Sequence, residues 1–275
     1  MQKKLVIVRG GGDLATGVVF VLHKAGFAVI ILEIAAPSAI RRAAAFSEAV
    51  YENEMTVEGL HCRLCKSYGE ALEVIGQDEV AMLVDPECRI LKEVRPFALV
   101  DAILAKKNLG TRMDMSDNVV ALGPGFEAGK DAHLVVETMR GHNLGRIYDS
   151  GFAIANTGVP GLIAGHSSDR VIHAEADGVI HNLSDIGDIV AEGQPIAVIR
   201  SEDGTETLVR AGFTGLLRGL IRDGYAVDKG LKIADIDART EQQKNCFTIS
   251  DKARSLGGST LCAIMSLACR HGQTI

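Results

Sequence analysis

Short apolar runs alternate with helix-period stretches over residues 1–115, the pattern of βαβ units feeding a parallel sheet. Leu5-Val6-Ile7-Val8 reads as a strand, Leu14 to Ala25 as a helix, and Ala28-Val29-Ile30-Ile31-Leu32 as the next strand. Ser38 to Tyr51 is alanine-rich and predicts a helix with Arg41 and Arg42 on its solvated face. Thr56 to Cys65 is strand-like and Tyr68 to Ile75 predicts a short helix. Val80 to Val84 and Phe97 to Val100 read as strands, the second followed by the helix-like Ala102 to Lys107. Asp85 and Asp101 close those two strands, where capping of the next turn outweighs ligand binding at an open sheet edge. Val119 to Leu122 and Ala132 to Met139 are further strands, and Ile249 to Arg270 has helical spacing with a Ser250 cap and a break at Gly257-Gly258.

The second half changes to short strands and many glycines, and it contains a repeat. Gly178, Gly187, Val190, Gly193, Ile196, Ala197 and Ile199 recur at one constant offset as Gly215, Gly224, Val227, Gly230, Ile233, Ala234 and Ile236. This duplication resembles the two halves of the barrel-sandwich hybrid fold of biotinyl and lipoyl carrier domains. The stretch between the halves, Arg200 to Glu206, holds no lysine, and Lys229 and Lys232 lack flanking methionines. A swinging arm is therefore not expected, and a rigid barrel for packing, assembly or partner recognition is. The expected fold is α/β, an N-terminal Rossmann-like parallel sheet plus a C-terminal all-β barrel-sandwich hybrid (biotinyl/lipoyl-like) domain. Its divisions are a nucleotide-binding domain at 1–115, connecting strands at 116–168, the duplicated barrel at 169–240 and C-terminal helices at 241–275.

Composition narrows the function classes. With 275 residues, 47% of them hydrophobic, the chain has apolar material for two cores. A formal charge of −6, no tryptophan and no interleaved basic and aromatic patch argue against nucleic-acid or anionic-membrane partners. No run approaches a spanning length, and the short apolar stretch after Lys3-Lys4 is broken by Arg9, unlike a signal-peptide core. Six scattered cysteines suit a reducing cytoplasm. Cys62-x-x-Cys65 has no second pair at metal-site spacing, so ordinary buried cysteines are expected there.

Two places carry candidate chemistry. Gly10, Gly11, Gly12, Asp13, Leu14 and Ala15 follow the first strand, and Gly10, Gly12 and Ala15 fit G-x-G-x-x-G/A. That turn lets backbone approach a pyrophosphate at a helix N-terminus. Glu33 ends the next strand where a ribose hydroxyl would be accepted. These residues are the cofactor-binding candidates, for NAD(P) or another nucleotide; the alternative is a turn kept only for close packing. The second place is polar: His133, Glu137, Arg140, His142 and Arg146. Period-two alternation puts His133 and Glu137 on one strand face, and a turn at Arg140 to Asn143 would return Arg146 beside them. Arg140 and Arg146 could clamp an anion while His142 shuttles a proton oriented by Glu137. His133, Glu137 and His142 as metal ligands, or a solvated salt-bridge ladder, are the competing readings, and no metal is assigned.

Val8 to Gly17, Arg41-Arg42, Ala121-Leu122-Gly123-Pro124-Gly125-Phe126, Glu137 to Arg146, Thr157-Gly158-Val159-Pro160-Gly161 and Ile249 to Lys252 together resemble the selenium-dependent molybdenum hydroxylase system proteins. A more distant likeness is to XdhC-type factors. The resemblance implies an accessory or maturation role, a molybdenum hydroxylase apoprotein or its maturation proteins as partners, and a molybdopterin dinucleotide as one candidate ligand. The alternatives are an NAD(P)-dependent oxidoreductase and a non-catalytic nucleotide-sensing scaffold. A homo-oligomer is admitted by the same reading.

Overall fold

The computed structural model describes residues 3–158 and 165–274. It divides into two units: Met1–Pro37, Ala45–Thr157 and Ile249–Ile275 form the first, and Ser38–Ala44 with Gly158–Thr248 the second. Among the described residues, no helix is long and apolar enough to cross a membrane.

In the first unit the chain runs β1 (Leu5–Arg9), α1 (Asp13–Lys24), β2 (Ala28–Glu33), α2 (Ala49–Glu52), β3 (Glu54–Val57), β4 (Leu60–Cys65), α3 (Tyr68–Gly76) and β5 (Val80–Val84). It continues through β6 (Ala98–Asp101), β7 (Val119–Leu122), β8 (Glu127–Ala128), β9 (Leu134–Val136), β10 (Ile147–Tyr148) and β11 (Gly151–Phe152), and ends with α4 (Asp251–Arg270). Nine strands make one sheet in the order β10-β9-β7-β6-β1-β2-β5-β4-β3. Its inner strands pair in parallel, and the edge strands β3 and β10 pair antiparallel. The strands are Val/Ile/Leu-rich on both faces because both faces are covered. From β1 the chain crosses to β2 on one side, whereas β6 pairs on the other, so the β1–β6 boundary is a topological switch point.

Helices α1 and α4 run parallel on one face of this sheet. A Cβ on Gly17 would lie 2.6 Å from the backbone of Ala253, and one on Gly257 would lie 2.6 Å from the Gly17 carbonyl oxygen. The two glycines thus bring the helices into backbone contact. Gly257-Gly258 is no break, since α4 is continuous through it.

The second unit holds β12 (Val171–His173), β13 (Gly178–Asn182), β14 (Ile189–Val190), β15 (Pro195–Arg200), β16 (Glu206–Arg210), β17 (Gly215–Leu220), β18 (Ala226–Val227) and β19 (Lys232–Asp237). They form two four-stranded antiparallel sheets, β12-β19-β17-β14 and β16-β15-β13-β18. Each sheet takes two long strands from one copy of the repeat and a short strand from the other.

The expected fold class needs correction on both counts. The α/β part is not a Rossmann-like parallel sheet contained in residues 1–115: it is mixed, its strands continue to Tyr148, and a helix from far downstream covers it. A biotinyl/lipoyl-like barrel-sandwich is not shown for the C-terminal part, which is two distinct sheets that also draw in residues 38–44. Those residues explain a further difference. Ser38 to Tyr51 forms two 3-10 turns, Arg42–Ala44 and Phe46–Glu48, and then α2, instead of one helix. Arg41 is buried, donating to the carbonyls of Asn245 (3.1 Å) and Thr248 (3.2 Å), and Arg42 donates to Leu220 (3.2 Å). These ties to the second unit's backbone prevent a solvated helix. Ala102 to Lys107 is likewise a loop, with Leu104 and Lys106 at positive φ.

Candidate functional site

The C-terminal edge of the nine-stranded sheet collects the glycine turn. Gly10 takes φ +92°, and a Cβ there would meet Ala102 and Ile103 backbone at 3.0 Å. Its amide donates to Leu32 (2.8 Å) and the Gly11 amide donates to Glu33 Oε2 (2.7 Å). Glu33 Oε1 accepts the Ile34 amide (2.8 Å). Burial raises the Glu33 carboxyl above its ordinary value, against the pull of those two amides. Glu33 therefore braces the turn from β2, and its oxygens keep lone pairs for a further donor.

Helix α1 starts without a side-chain cap. Gly12 is its N-cap in extended conformation, and a Cβ there would meet nothing within 4 Å. The first helical bond runs from the Thr16 amide to Gly12 (2.8 Å), and the Thr16 hydroxyl also donates to Gly12 (3.0 Å). The amides of Gly12, Leu14 and Ala15 have no hydrogen-bond partner among the described residues. Beside the turn, the Ser47 amide donates to Gly11 (2.8 Å), and the Phe46 amide donates to the Thr16 hydroxyl (2.9 Å). Ser47 is 1% exposed, yet its own hydroxyl has no partner among the described residues. A buried hydroxyl left so costs about 1–3 kcal/mol.

Below the switch point lies a buried ion pair. Arg9, 4% exposed, meets Asp101, 1% exposed, at 3.3 Å. Arg9 also donates to the Thr111 hydroxyl and to the carbonyls of Pro86 and Leu109 (both 3.0 Å). Thr111 donates in turn to Asp101. Burial raises the Asp101 carboxyl, opposed by Thr111 and Arg9. Asp101 further accepts the Ile103 amide (3.1 Å), which fixes the loop that lies over Gly10.

The polar constellation is not brought together as expected. β9 is three residues long, so the alternation predicted over 132–139 does not develop. His133 sits at its start, where its Nδ1 accepts the Val119 amide (3.0 Å) and its ring meets His271 edge-on at 6.1 Å. Burial, then His271, lowers its basicity. Glu137 follows the other end of β9 and is fully buried. Its oxygens accept the amides of Met139 (2.7 Å) and Ile154 (2.8 Å), a structural role. His142 is exposed, and Arg146, also exposed, reaches only Asn143 (3.4 Å) among the described residues. Arg140 pairs instead with Asp251 of α4, at 2.7 and 3.1 Å. Among the described residues no group of three or more His, Cys, Asp or Glu side chains could hold a metal ion. Cys62 and Cys65 lie in the cores on opposite faces of the sheet. The Val159-Pro160-Gly161 part of one quoted motif lies outside the described residues.

Sequence reasoning missed Ser47 and Lys252. Lys252 stands in the first turn of α4, half-buried, with no hydrogen-bond acceptor among the described residues. Its place at the end of the Ile249 to Lys252 motif, just after a helix cap, was the signal for it. In the second unit, a groove of about 860 Å³ is bordered by Asp177, Val179, His181, Glu202, Asp203 and Asp228, none of them a sequence candidate.

No family model matches the chain. It is 49% identical over 264 residues to a protein described as "Uncharacterized protein YqeB" of Escherichia coli (strain K12), a match covering 96% of this chain and 48% of that one. The chain thus spans about half the length of the curated relative it matches. Solved structures with some likeness include the product-bound ectoine utilization protein EutE (DoeB) from Ruegeria pomeroyi, at 13% identity and a TM-score of 0.25, covering 84% of this chain and 56% of that one. A succinylglutamate desuccinylase from Silicibacter sp. TM1040 gives 13% and 0.26, covering 85% and 84%. A succinylglutamate desuccinylase/aspartoacylase from Rhodobacter sphaeroides gives 12% and 0.30, covering 86% and 85%. Likeness at these TM-scores carries no conclusion about this chain's chemistry.

These findings correct the resemblance drawn from the motifs. The relative's description names no molybdenum or selenium function, and the solved structures named are an ectoine utilization protein and desuccinylase or aspartoacylase proteins, with no XdhC-type factor among them. The accessory-factor role falls with it, together with the selenium and molybdenum-cofactor associations. The same findings give the NAD(P)-oxidoreductase alternative no support either.

Proposed function

We propose that the first unit binds a phosphorylated ligand of the nucleotide class, with a phosphate seated on the amides of Gly12, Leu14 and Ala15. The observation that carries this reading is the pairing of an uncapped α1 start with Ser47, whose amide bonds Gly11 and whose buried hydroxyl has no partner among the described residues. A buried donor without a partner is costly, and a phosphate could satisfy it together with the amides of the partly exposed helix start while complementing the helix dipole. The β1–β6 switch point is where open α/β sheets take their ligands. Glu33, at the end of β2, is within the frame of the turn and can accept a ribose hydroxyl with its remaining lone pairs. A cytoplasmic setting suits this reading and the free cysteines.

The test is Gly12→Asp. The position has room for the new side chain and an N-cap backbone that aspartate favours. Stability should hold or rise by a few tenths of a kcal/mol, while the carboxylate occupies the seat and repels phosphate. Calorimetry with ADP and NAD should show saturable binding to the wild type and at least tenfold weaker binding to the variant. Equal binding to both proteins refutes the proposal.

A further inference from the structure

Parallel packing of α1 and α4 places two helix N-termini side by side at the same sheet edge. Helices in contact lie about 8–10 Å apart, and backbone contact through Gly17 and Gly257 draws this pair to the short end of that range. Lys252, in the first turn of α4 next to the Ala253–Gly17 contact, is within electrostatic reach of Asp13, Glu137, Arg140 and Asp251. Two of its three acidic neighbours are committed elsewhere: Glu137 to backbone amides and Asp251 to Arg140. The Lys252 ammonium is half-buried and accepts no compensation by hydrogen bonding among the described residues. Burial, then Arg140, makes it easier to deprotonate, as expected for a cation short of a counter-ion. The orphaned hydroxyl belongs to Ser47, whose backbone amide bonds Gly11 in the turn before α1. Ser47, bonded to the turn, and Lys252, next to the residue that packs on Gly17, thus bring a hydroxyl and a cation from distant parts of the chain to the neighbourhood of the α1 start.

We infer that Lys252 is the second anchor of that ligand: it takes the phosphoryl group next to the one held by α1, so the site selects a nucleoside diphosphate over a monophosphate. This inference rests on the phosphate reading above and adds the ligand's charge class and a further binding residue. A lone phosphate would satisfy the amides of α1 and leave the ammonium of Lys252 uncompensated. A diphosphate spans both, with the cation placed beside the added negative charge, where low local dielectric strengthens the attraction.

Calorimetry with AMP and ADP on the wild type, Lys252→Gln and Lys252→Arg tests it. The wild type should bind ADP at least tenfold more tightly than AMP. Lys252→Gln should lose about tenfold for ADP and change less than twofold for AMP, while Lys252→Arg should keep most of the preference. A melting temperature close to wild type for Lys252→Gln confirms that the fold is intact, as expected for a half-exposed side chain. If Lys252→Gln retains the ADP preference, or weakens both nucleotides equally, the second anchor is refuted and the phosphate reading survives. If the wild type binds neither nucleotide, the phosphate reading itself fails.

Discussion

The seam between α1 and α4 gives opposite predictions for two adjacent glycines. Alanine at Gly257 places a methyl group 2.6 Å from the Gly17 carbonyl and 2.7 Å from a Val21 methyl. The nearest obstacle is backbone, so no rotamer change relieves it and the helices must separate by most of an ångström. Overpacking of this kind costs about 1–3 kcal/mol, at the upper end where backbone resists. Removing a glycine from a helix interior returns about 1 kcal/mol. The net expectation is a loss of about 1–2 kcal/mol, or roughly 2–8 °C in melting temperature for a chain of this size. Gly258 is in the same helix and a Cβ there meets nothing within 4 Å, so Gly258→Ala keeps only the propensity gain and should raise the midpoint by about 2–4 °C. Thermal unfolding followed by circular dichroism at the helical band decides it. If the two variants shift in the same direction by similar amounts, the tight seam and the placement of Lys252 derived from it are both wrong.

Other expectations follow from the same edge of the sheet. Ser47→Ala removes an unsatisfied hydroxyl and should leave stability unchanged or about 1 kcal/mol higher by urea titration, while weakening ADP binding; a clear loss of stability would mean the hydroxyl is already satisfied. Asp101→Ala strands the Arg9 guanidinium and should cost about 3–5 kcal/mol in denaturant unfolding. A cost below 1 kcal/mol would refute a buried pair. Burial raises the Glu33 carboxyl, so its favourable contribution is complete at low pH and is lost as pH rises through the folded-state value. The stability of wild type relative to Glu33→Gln should therefore fall between acid and neutral pH; a rise would reverse the assigned cause.

What the sequence made legible was local. Leu5 to Val8, the glycine turn and the helix after it are specified by neighbouring residues, and β1, the turn and α1 follow that pattern. Expectations failed where distant partners decide the outcome. Ala-rich Ser38 to Tyr51 has helical propensity, but Arg41 and Arg42 bond to carbonyls about two hundred residues downstream, and the segment divides there. Gly257 looked like a helix break because its reason lies in α1. His133 and Glu137 were aligned by a period-two rule that needs a strand longer than β9. In the candidate site, Gly10 to Ala15 and Glu33 were visible as a motif, whereas Ser47 carries no local signature and Lys252 only its place after a helix cap, and both are recruited by tertiary packing.

The parallel pairing of α1 with α4 also sets an order of events during synthesis. The face of α1 that Gly17 exposes cannot be sealed until a helix more than two hundred positions later leaves the ribosome. At translation rates of about 5–20 residues per second, the unsealed interval lasts roughly 10–50 s. The two four-stranded sheets, whose strands all precede α4, can complete their hydrogen bonding within that time. The nascent α/β portion must wait, with the apolar face of α1 uncovered, until α4 arrives.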